Sequence, residues 1–318
     1  MEKKKKSIFK RWWFWVLIVL VIGIGAGSCG GDSKESENQK AVAGDTEADQ
    51  PAGKAKEESD TRAKETGKSD EATVEEQTLL DQNGIKVTLK SLDLKGLFGP
   101  ELKVCIENGS AQNVTVQANG VSVNGIMTQS VFSCDVAAGK TANDGITLLS
   151  SDLDQAGIKQ IQNVEFTFHV FDTDTYDTIF DSDTIRVATS LDGTEEQAVD
   201  DSGVMLVDQD GVKITVKEVD STTSFWGADI YIYVENNTDQ DVTVQAANTS
   251  LNGFMVEPYF SCDVTAGKKA YDTITFMESD LEENDITKID TMEISFHVFD
   301  TANYNTVFDT DPLSVSFE

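Results

Sequence analysis

The feature that most constrains this chain is an internal repeat. Aligning residues 96–187 with residues 224–315 at a constant offset of 128 gives 43 identical pairs in 92. FSCDVAAGK from Phe132 returns as FSCDVTAGK from Phe260, and FHVFDT occurs at both Phe168 and Phe296. LLDQNGIKVTL from Leu79 is matched by MLVDQDGVKITV from Met205. Any fold for this chain must be one that the same module adopts twice, each copy being roughly 110 residues, enough for its own core.

Within a copy the hydrophobic period is two. Leu102, Val104 and Ile106 alternate with Lys103, Cys105 and Glu107, and Ile230, Ile232 and Val234 repeat that face. Val164, Phe166, Phe168 and Val170 form a second such face, matched by Met292, Ile294, Phe296 and Val298. Alternation of β-branched and aromatic residues is the pattern of half-buried strands. Asn83-Gly84, Asn124-Gly125, Asp210-Gly211 and Asn252-Gly253 lie between such runs and suit the left-handed pair of a type I′ hairpin turn. Ser151-Asp152-Leu153-Asp154 and Ser279-Asp280-Leu281-Glu282 have the form of a capping box, which predicts one short helix per copy. Roughly seven or eight strands with closely spaced turns predict a two-sheet antiparallel sandwich.

The ends differ in kind from the modules. Lys3 to Lys6, Lys10 and Arg11 precede an uncharged run from Trp12 to Gly31. A basic start followed by an apolar stretch is an export signal, and its length is near the ~20 residues a helix needs to span a bilayer. Two anchoring modes are open. Ala26-Gly27-Ser28-Cys29 resembles a lipobox, which would place a lipid on Cys29, although Ala26 stands where leucine is usual. Left uncleaved, the same segment is a membrane helix. Residues 32–77 carry almost no large apolar side chain and predict a disordered acidic tether, since they cannot bury enough surface to offset their ordering entropy. Such a tether spans roughly 35–40 Å.

The expected organisation is a signal or anchor segment at 1–31, the tether at 32–77, a first module at 78–187, a linker at 188–203 and a second module at 204–318. This is an all-β chain of two tandem modules behind a hydrophobic anchor helix. Anchor, acidic tether and paired modules with a FSCDV…AGK turn and a FHVFD…FD hairpin resemble the immunoglobulin-like domains of unknown function found in Gram-positive envelope lipoproteins. That resemblance implies a β-sandwich fold and an address on the outer side of the cell membrane. It carries no active-site residues, and the paired cysteines with an intervening tryptophan of many immunoglobulin domains are absent.

Formal charge is −31, distributed as +5 over residues 1–31, −7 over 32–77 and −29 over the remainder. That sign repels nucleic acid and anionic polymers, so nucleic acid is not an expected partner. In the first module Cys134 shares the apolar face of Phe132 and Val136, whereas Cys105 shares the polar face of Lys103 and Glu107. Tyr233 replaces Cys105 in the second copy, so a disulfide is not expected, and Cys134 and Cys262 read as small buried hydrophobes.

Candidate chemistry is sparse. Asp172, Asp174 and Asp183 fall at positions 1, 3 and 12 of a notional calcium loop, but Asp177 occupies the position where the turn needs glycine. The second copy has Ala302 and Asn305 in place of Asp174 and Asp177. A hairpin with an acidic tip is the better account; the alternative is a calcium-stabilised adhesion module using Asp172, Asp174, Asp177 and Asp183. No other cofactor is implied. His169 is the module's one histidine and lies on the polar face, with no nucleophile suggested beside it, so a hydrolase ranks last. For recognition, the loops Leu97-Phe98-Gly99-Pro100 and Phe225-Trp226-Gly227-Ala228 place aromatics beside a glycine. They either plug the end of the sandwich or stand out as anchors, in which case Phe98, Phe225, Trp226 and Tyr259 bind a protein or small ligand. The expectation is a membrane-anchored extracytoplasmic binding protein without catalysis.

Overall fold

The computed structural model describes residues 71–224 and 227–317. The export segment, Cys29 and most of the expected tether lie outside the described residues, as do Phe225 and Trp226. Among the described residues no helix is long and apolar enough to cross a membrane.

The chain is all-β. The first repeat contains β1 (Gln77–Gln82), β2 (Ile85–Asp93), β3 (Glu101–Asn108), β4 (Val114–Val123), β5 (Ile126–Met127), β6 (Ser130–Val131), β7 (Ser133–Val136) and β8 (Thr141–Leu148). Helix α1 (Ser150–Gln155) follows, then β9 (Asn163–Asp172), β10 (Thr178–Asp181) and β11 (Ile185–Ala188). The second repeat runs β12 (Val204–Gln209), β13 (Val212–Ser224), β14 (Gly227–Asn236), β15 (Val242–Leu251), β16 (Phe254–Met255), β17 (Ser261–Val264) and β18 (Lys269–Met277). It closes with α2 (Glu278–Glu283), β19 (Thr291–Asp300), β20 (Thr306–Asp309) and β21 (Leu313–Ser316). The element order is the same in both, except that β6 is reduced to one bridge between Tyr259 and Thr275.

One sheet has the order β1-β2-β3-β8-β6, and a second has β16-β15-β19-β20 with β17 on β15 and β21 on β19. Between them runs a ten-stranded sheet, β10-β9-β4-β5-β18-β14-β13-β12, with β7 on β4 and β11 on β9. Pairing is antiparallel throughout, save for one parallel step where Ile126 of β5 faces Lys269 of β18. The middle sheet therefore passes from the first repeat into the second. All four expected hairpin turns have both residues at positive φ, as type I′ requires: Asn83 at 52° and Gly84 at 81°, with the other three pairs within a few degrees.

The period-two faces point inward. Leu102, Val104, Ile106, Val164, Phe166, Phe168 and Val170 are all buried in one apolar cluster, and their counterparts in the second repeat are buried in another. One clamp of the same form closes the edge of each core. Asn108 is buried, donates to the carbonyls of Gln112 and Val136 at 2.8 Å, and accepts from Ser110 N (2.9 Å) and Oγ (2.6 Å). Asn236 does the same with Gln240, Val264 and Thr238. A buried carboxamide with every bond made joins a turn to a strand 28 residues away.

Three expectations need correction. Order begins before 78: Ala72 is buried, Val74 packs on the first core, and Thr73 exchanges hydrogen bonds with Ser190. Those two apolar residues suffice to bind the end of the tether to the sheet. The segment 188–203 is not a free spacer either, because Val199 packs on the first core and Asp200 shares hydrogen bonds with the Tyr271 hydroxyl. Both helices form, but without a capping box. The N-cap residues are Leu149 and Met277, with no side-chain cap, so Ser151 and Ser279 sit two residues too deep. In α1 the Ser150 N–H donates to Phe98 O at 3.0 Å, and Asp152 accepts from Gln129 N at 2.7 Å. In α1 the Phe98 carbonyl thus supplies part of what a cap would.

Candidate functional site

The bond from Ser150 to Phe98 fixes the first candidate site. It ties the loop ahead of β3 to the start of α1, and Leu148 N donates to Pro100 O at 2.8 Å beside it. Gly99 allows that approach. Its φ is 146°, and a Cβ there would stand 1.9 Å from the Leu148 carbonyl oxygen. Gly227 repeats the arrangement with φ 137° and the Phe276 carbonyl oxygen at 1.9 Å. So both glycines serve close backbone packing, and Phe98, before Gly99, is turned outward. Leu97 is 88% and Phe98 68% exposed. Val131, on the adjoining β6, is also exposed, and its counterpart Tyr259 is 58% exposed, hydrogen-bonded through its backbone to Thr275. Met277, opposite Gly227 in the ladder, is exposed too. The first repeat thus ends in an apolar tip on a pinned loop.

The aspartate loop is a turn. Asp172 Oδ1 accepts from the N–H groups of Asp174 (2.9 Å) and Thr175 (3.0 Å), and Oδ2 accepts from Gln112 Nε2. Asp300 holds Ala302 and Asn303 in the same way, and those hydrogen bonds, the Asn303 side chain first, keep its carboxyl below the usual range. Asp174 accepts from Asn113 at 3.3 Å, and the Asp177 carbonyl closes the hairpin on Asp172 N. Asp183 lies beyond β10. Tyr176, at φ 63°, ends the turn and stacks on Phe171, as Tyr304 does on Phe299. Among the described residues no three His, Cys, Asp or Glu side chains gather into a set that could hold a metal ion.

Two repeated constellations are not evident from sequence. Across the outer face of the middle sheet, in its first-repeat part, runs a row Ser133–Gln117–His169–Asp181, one residue per strand, in register. His169 Nδ1 lies 2.6 Å from Asp181 Oδ1, and Gln117 Nε2 donates to Ser133 Oγ at 3.2 Å. Ser261, Gln245, His297 and Asp309 form the same row, with 2.6 Å from His297 to Asp309. The residue types suggest a Ser-His-Asp triad, but glutamine separates serine from histidine. Two strand spacings put the hydroxyl roughly 9–10 Å from the ring, far outside hydrogen-bond reach. The second constellation is a thiol on a carboxylate. Burial foremost, then the Asp144 charge and hydrogen bond, pushes the Cys134 thiol up to about 12. Cys262, fully enclosed and bonded to Asp272, is pushed up for the same reasons. Both thiols stay protonated at neutral pH and act as donors, not nucleophiles. All three described cysteines are free.

A cleft of about 1030 Å³ opens where the repeats meet, with Asn119, Glu165 and Thr167 on one wall and Asp263, Lys268 and Asp272 on the other. Lys268 Nζ bridges it to Glu165 Oε2 at 2.6 Å. The hydroxyls of Ser122 and Thr128 are buried in its lining without a protein partner. Burial in this wall raises the Asp272 carboxyl above its usual range, helped by Asp152 and Asp263 and opposed by the Thr273 N–H and the Cys262 thiol. The native state then binds that proton more tightly than the unfolded chain does. This contribution favours folding most below the ordinary carboxylate range and is lost as pH rises through the raised value. Asp272→Asn, which keeps an acceptor for Cys262, is therefore expected to melt above wild type at pH 7.5. The gap should close toward pH 4 in paired thermal melts; an equal gap at both pH values would contradict the assignment.

No family model matches the chain, and no curated protein matches it. Among solved structures, the YadV chaperone is similar at 10% identity over 68% of this chain and 92% of its own, with a TM-score of 0.22. Red sea bream transglutaminase is similar at 8% identity over 77% of this chain and 31% of its own, with a TM-score of 0.18. Likenesses at that level carry no argument about fold or activity.

Proposed function

We propose that this chain is a membrane-anchored, extracytoplasmic binding protein that works without catalysis. In this reading residues 78–187 and 204–318 are two immunoglobulin-like β-sandwich modules of the kind found in Gram-positive envelope lipoproteins. They are carried on an acidic tether and held to the membrane through residues 1–31, by a lipid on Cys29 or by an uncleaved helix. The observation that carries the reading is the exposed pair Leu97 and Phe98, held outward on a loop pinned to α1. Exposed apolar side chains on a rigid frame suit recognition, because little ordering entropy is lost on binding. The charge pattern supports the address: basic residues ahead of the apolar run and an acidic chain beyond it.

The test uses immobilised chain and envelope extract. Leu97→Ser with Phe98→Ser is expected to leave the melting temperature within a degree or two, since both side chains are solvent-exposed. Retention of the bound envelope component should weaken at least about tenfold, the scale of one anchor residue worth ~1.4 kcal/mol or more. Equal retention by wild type and the double variant would remove this loop from the binding surface.

A further inference from the structure

The junction between the repeats is head-to-tail, and each repeat keeps the half that the chain itself leaves unused. The first repeat contributes the tip of the β4–β5 hairpin. The Gly125 carbonyl accepts from Lys269 N at 3.1 Å, Met127 packs against the second core, and Glu165 takes Lys268 Nζ at 2.6 Å. The second repeat contributes the edge of β18, from Lys268 to Ala270. At the offset of 128, the second repeat carries Gly253, Met255 and Glu293 in the hairpin-side positions. The first repeat carries Lys140 and Ala142 on the receiving edge, and all five residues match their counterparts in the junction.

The unused halves have the same shape as the used ones. Ser250 faces Met255 and Leu251 faces Phe254 across a type I′ turn, in the register that Ser122–Met127 and Val123–Ile126 adopt in the first repeat. They are also bare. Phe254 is 49% and Met255 68% exposed, whereas Ile126 is buried and Met127 half-buried. Glu293, Lys140 and Thr141 are exposed where Glu165, Lys268 and Lys269 are half-buried. On that side of β8, β6 pairs only with Leu148 and Thr147, which leaves the Thr141 end an open strand edge among the described residues. An unpaired edge next to a matching hairpin is a template for further pairing.

We infer that a second copy of this chain docks there. The 252–255 hairpin of one chain pairs with β8 of the next, and Glu293 of the first meets Lys140 of the second, continuing the middle sheet's inter-repeat step between chains. The surfaces differ on the two sides, so the contact is heterologous and does not close on itself; chains add in a row. Cys105 and Asn143 replace the Tyr233–Tyr271 ring pair, whose centroids lie 5.0 Å apart at the internal junction. The contact between chains is therefore weaker than the one within a chain, and the row is reversible.

Sedimentation velocity of the full-length chain in mild detergent tests this, with Glu293→Lys, Lys140→Glu and the double variant alongside wild type. The wild-type mass distribution should move upward with concentration without stopping at a dimer. Each single reversal should raise the concentration required at least about tenfold, because like charges then face each other at the contact. The double variant should restore association, which self-association through residues 1–31 would not do. A wild type that stays monomeric, a dimer that does not grow, or a double variant no better than the singles would overturn the inference.

Discussion

Asn236→Ala is expected to destabilise the chain by about 3–4 kcal/mol, among the largest effects of any single side chain in it. The side chain is fully buried and makes four hydrogen bonds, two donated to the carbonyls of Gln240 and Val264 and two accepted from Thr238. Truncation leaves those carbonyls without the donor, and each buried unsatisfied group costs about 1–3 kcal/mol. A methyl-sized remnant cannot be replaced by water at the carbonyl of Val264 without opening the sheet edge. Asn236→Asp separates the two halves of the clamp: it keeps the acceptor and loses the donor. It is expected to be as damaging as alanine, since a carboxylate then faces two carbonyl oxygens. Asn108→Ala should behave in the same way in the first repeat. Urea unfolding followed by intrinsic fluorescence checks all three; a loss below about 1 kcal/mol would mean that the clamp is ornamental.

Gly227→Ala carries the second large expectation, a loss of about 3 kcal/mol or more. Two independent penalties fall on the same atom. The backbone sits at φ 137°, a conformation costly for any residue with a Cβ, and the added carbon would lie 1.9 Å from Phe276 O and 2.7 Å from Glu278 N. Neither neighbour is a flexible side-chain end; one is backbone at the end of β18 and the other at the start of α2, so relief requires the loop and the strand to part. Gly99→Ala meets Leu148 O and Ser150 N in the same manner. The Gly99 variant has a second readout, because parting that contact frees Phe98 from Ser150. It should lose ligand retention as well as stability, whereas Asn108→Ala, at the far side of the core, should lose stability alone.

These residues also show which parts of the molecule could be read from sequence. The strands could, because burial on one face imposes a period of two, and Leu102 to Ile106 and Val164 to Val170 obey it. The hairpin turns could, because Asn-Gly has few other uses. The helix caps could not. Ser151 and Asp152 satisfy the local rule, but the loop at Phe98 comes from 52 residues away to bond Ser150. The two asparagine clamps have no sequence signal for a related reason: their partners on Val136 and Val264 are backbone carbonyls of another strand, and a carbonyl has no letter in a sequence. His169 was correctly placed on the polar face, yet its pairing with Asp181 depends on an irregularity in register between Thr178 and Phe180. Parity alone does not reveal that.

The candidate binding loop was legible only as an alternative. An aromatic next to glycine fits a plug and an anchor equally well until the glycine's own neighbours are known. At Phe98 the side chain is exposed rather than plugging the end of the sandwich. The passage of the middle sheet from one repeat to the next was not legible, because a parallel backbone step at Ile126 and Lys269 needs no distinctive side chain. The residues on both sides of that step recur in both repeats, but only the structure shows that they meet.

The folded part of this chain is proposed to be displayed outside the cytoplasmic membrane. The direct measurement places a reporter thiol at Asp208→Cys, on the exposed side of β12, and treats intact cells with a membrane-impermeant maleimide. In a Cys105→Ser background, labelling in intact cells equal to that after lysis is the predicted result, with the buried thiols of Cys134 and Cys262 silent in both. Labelling that appears only after lysis would place the protein inside the cell and contradict the account.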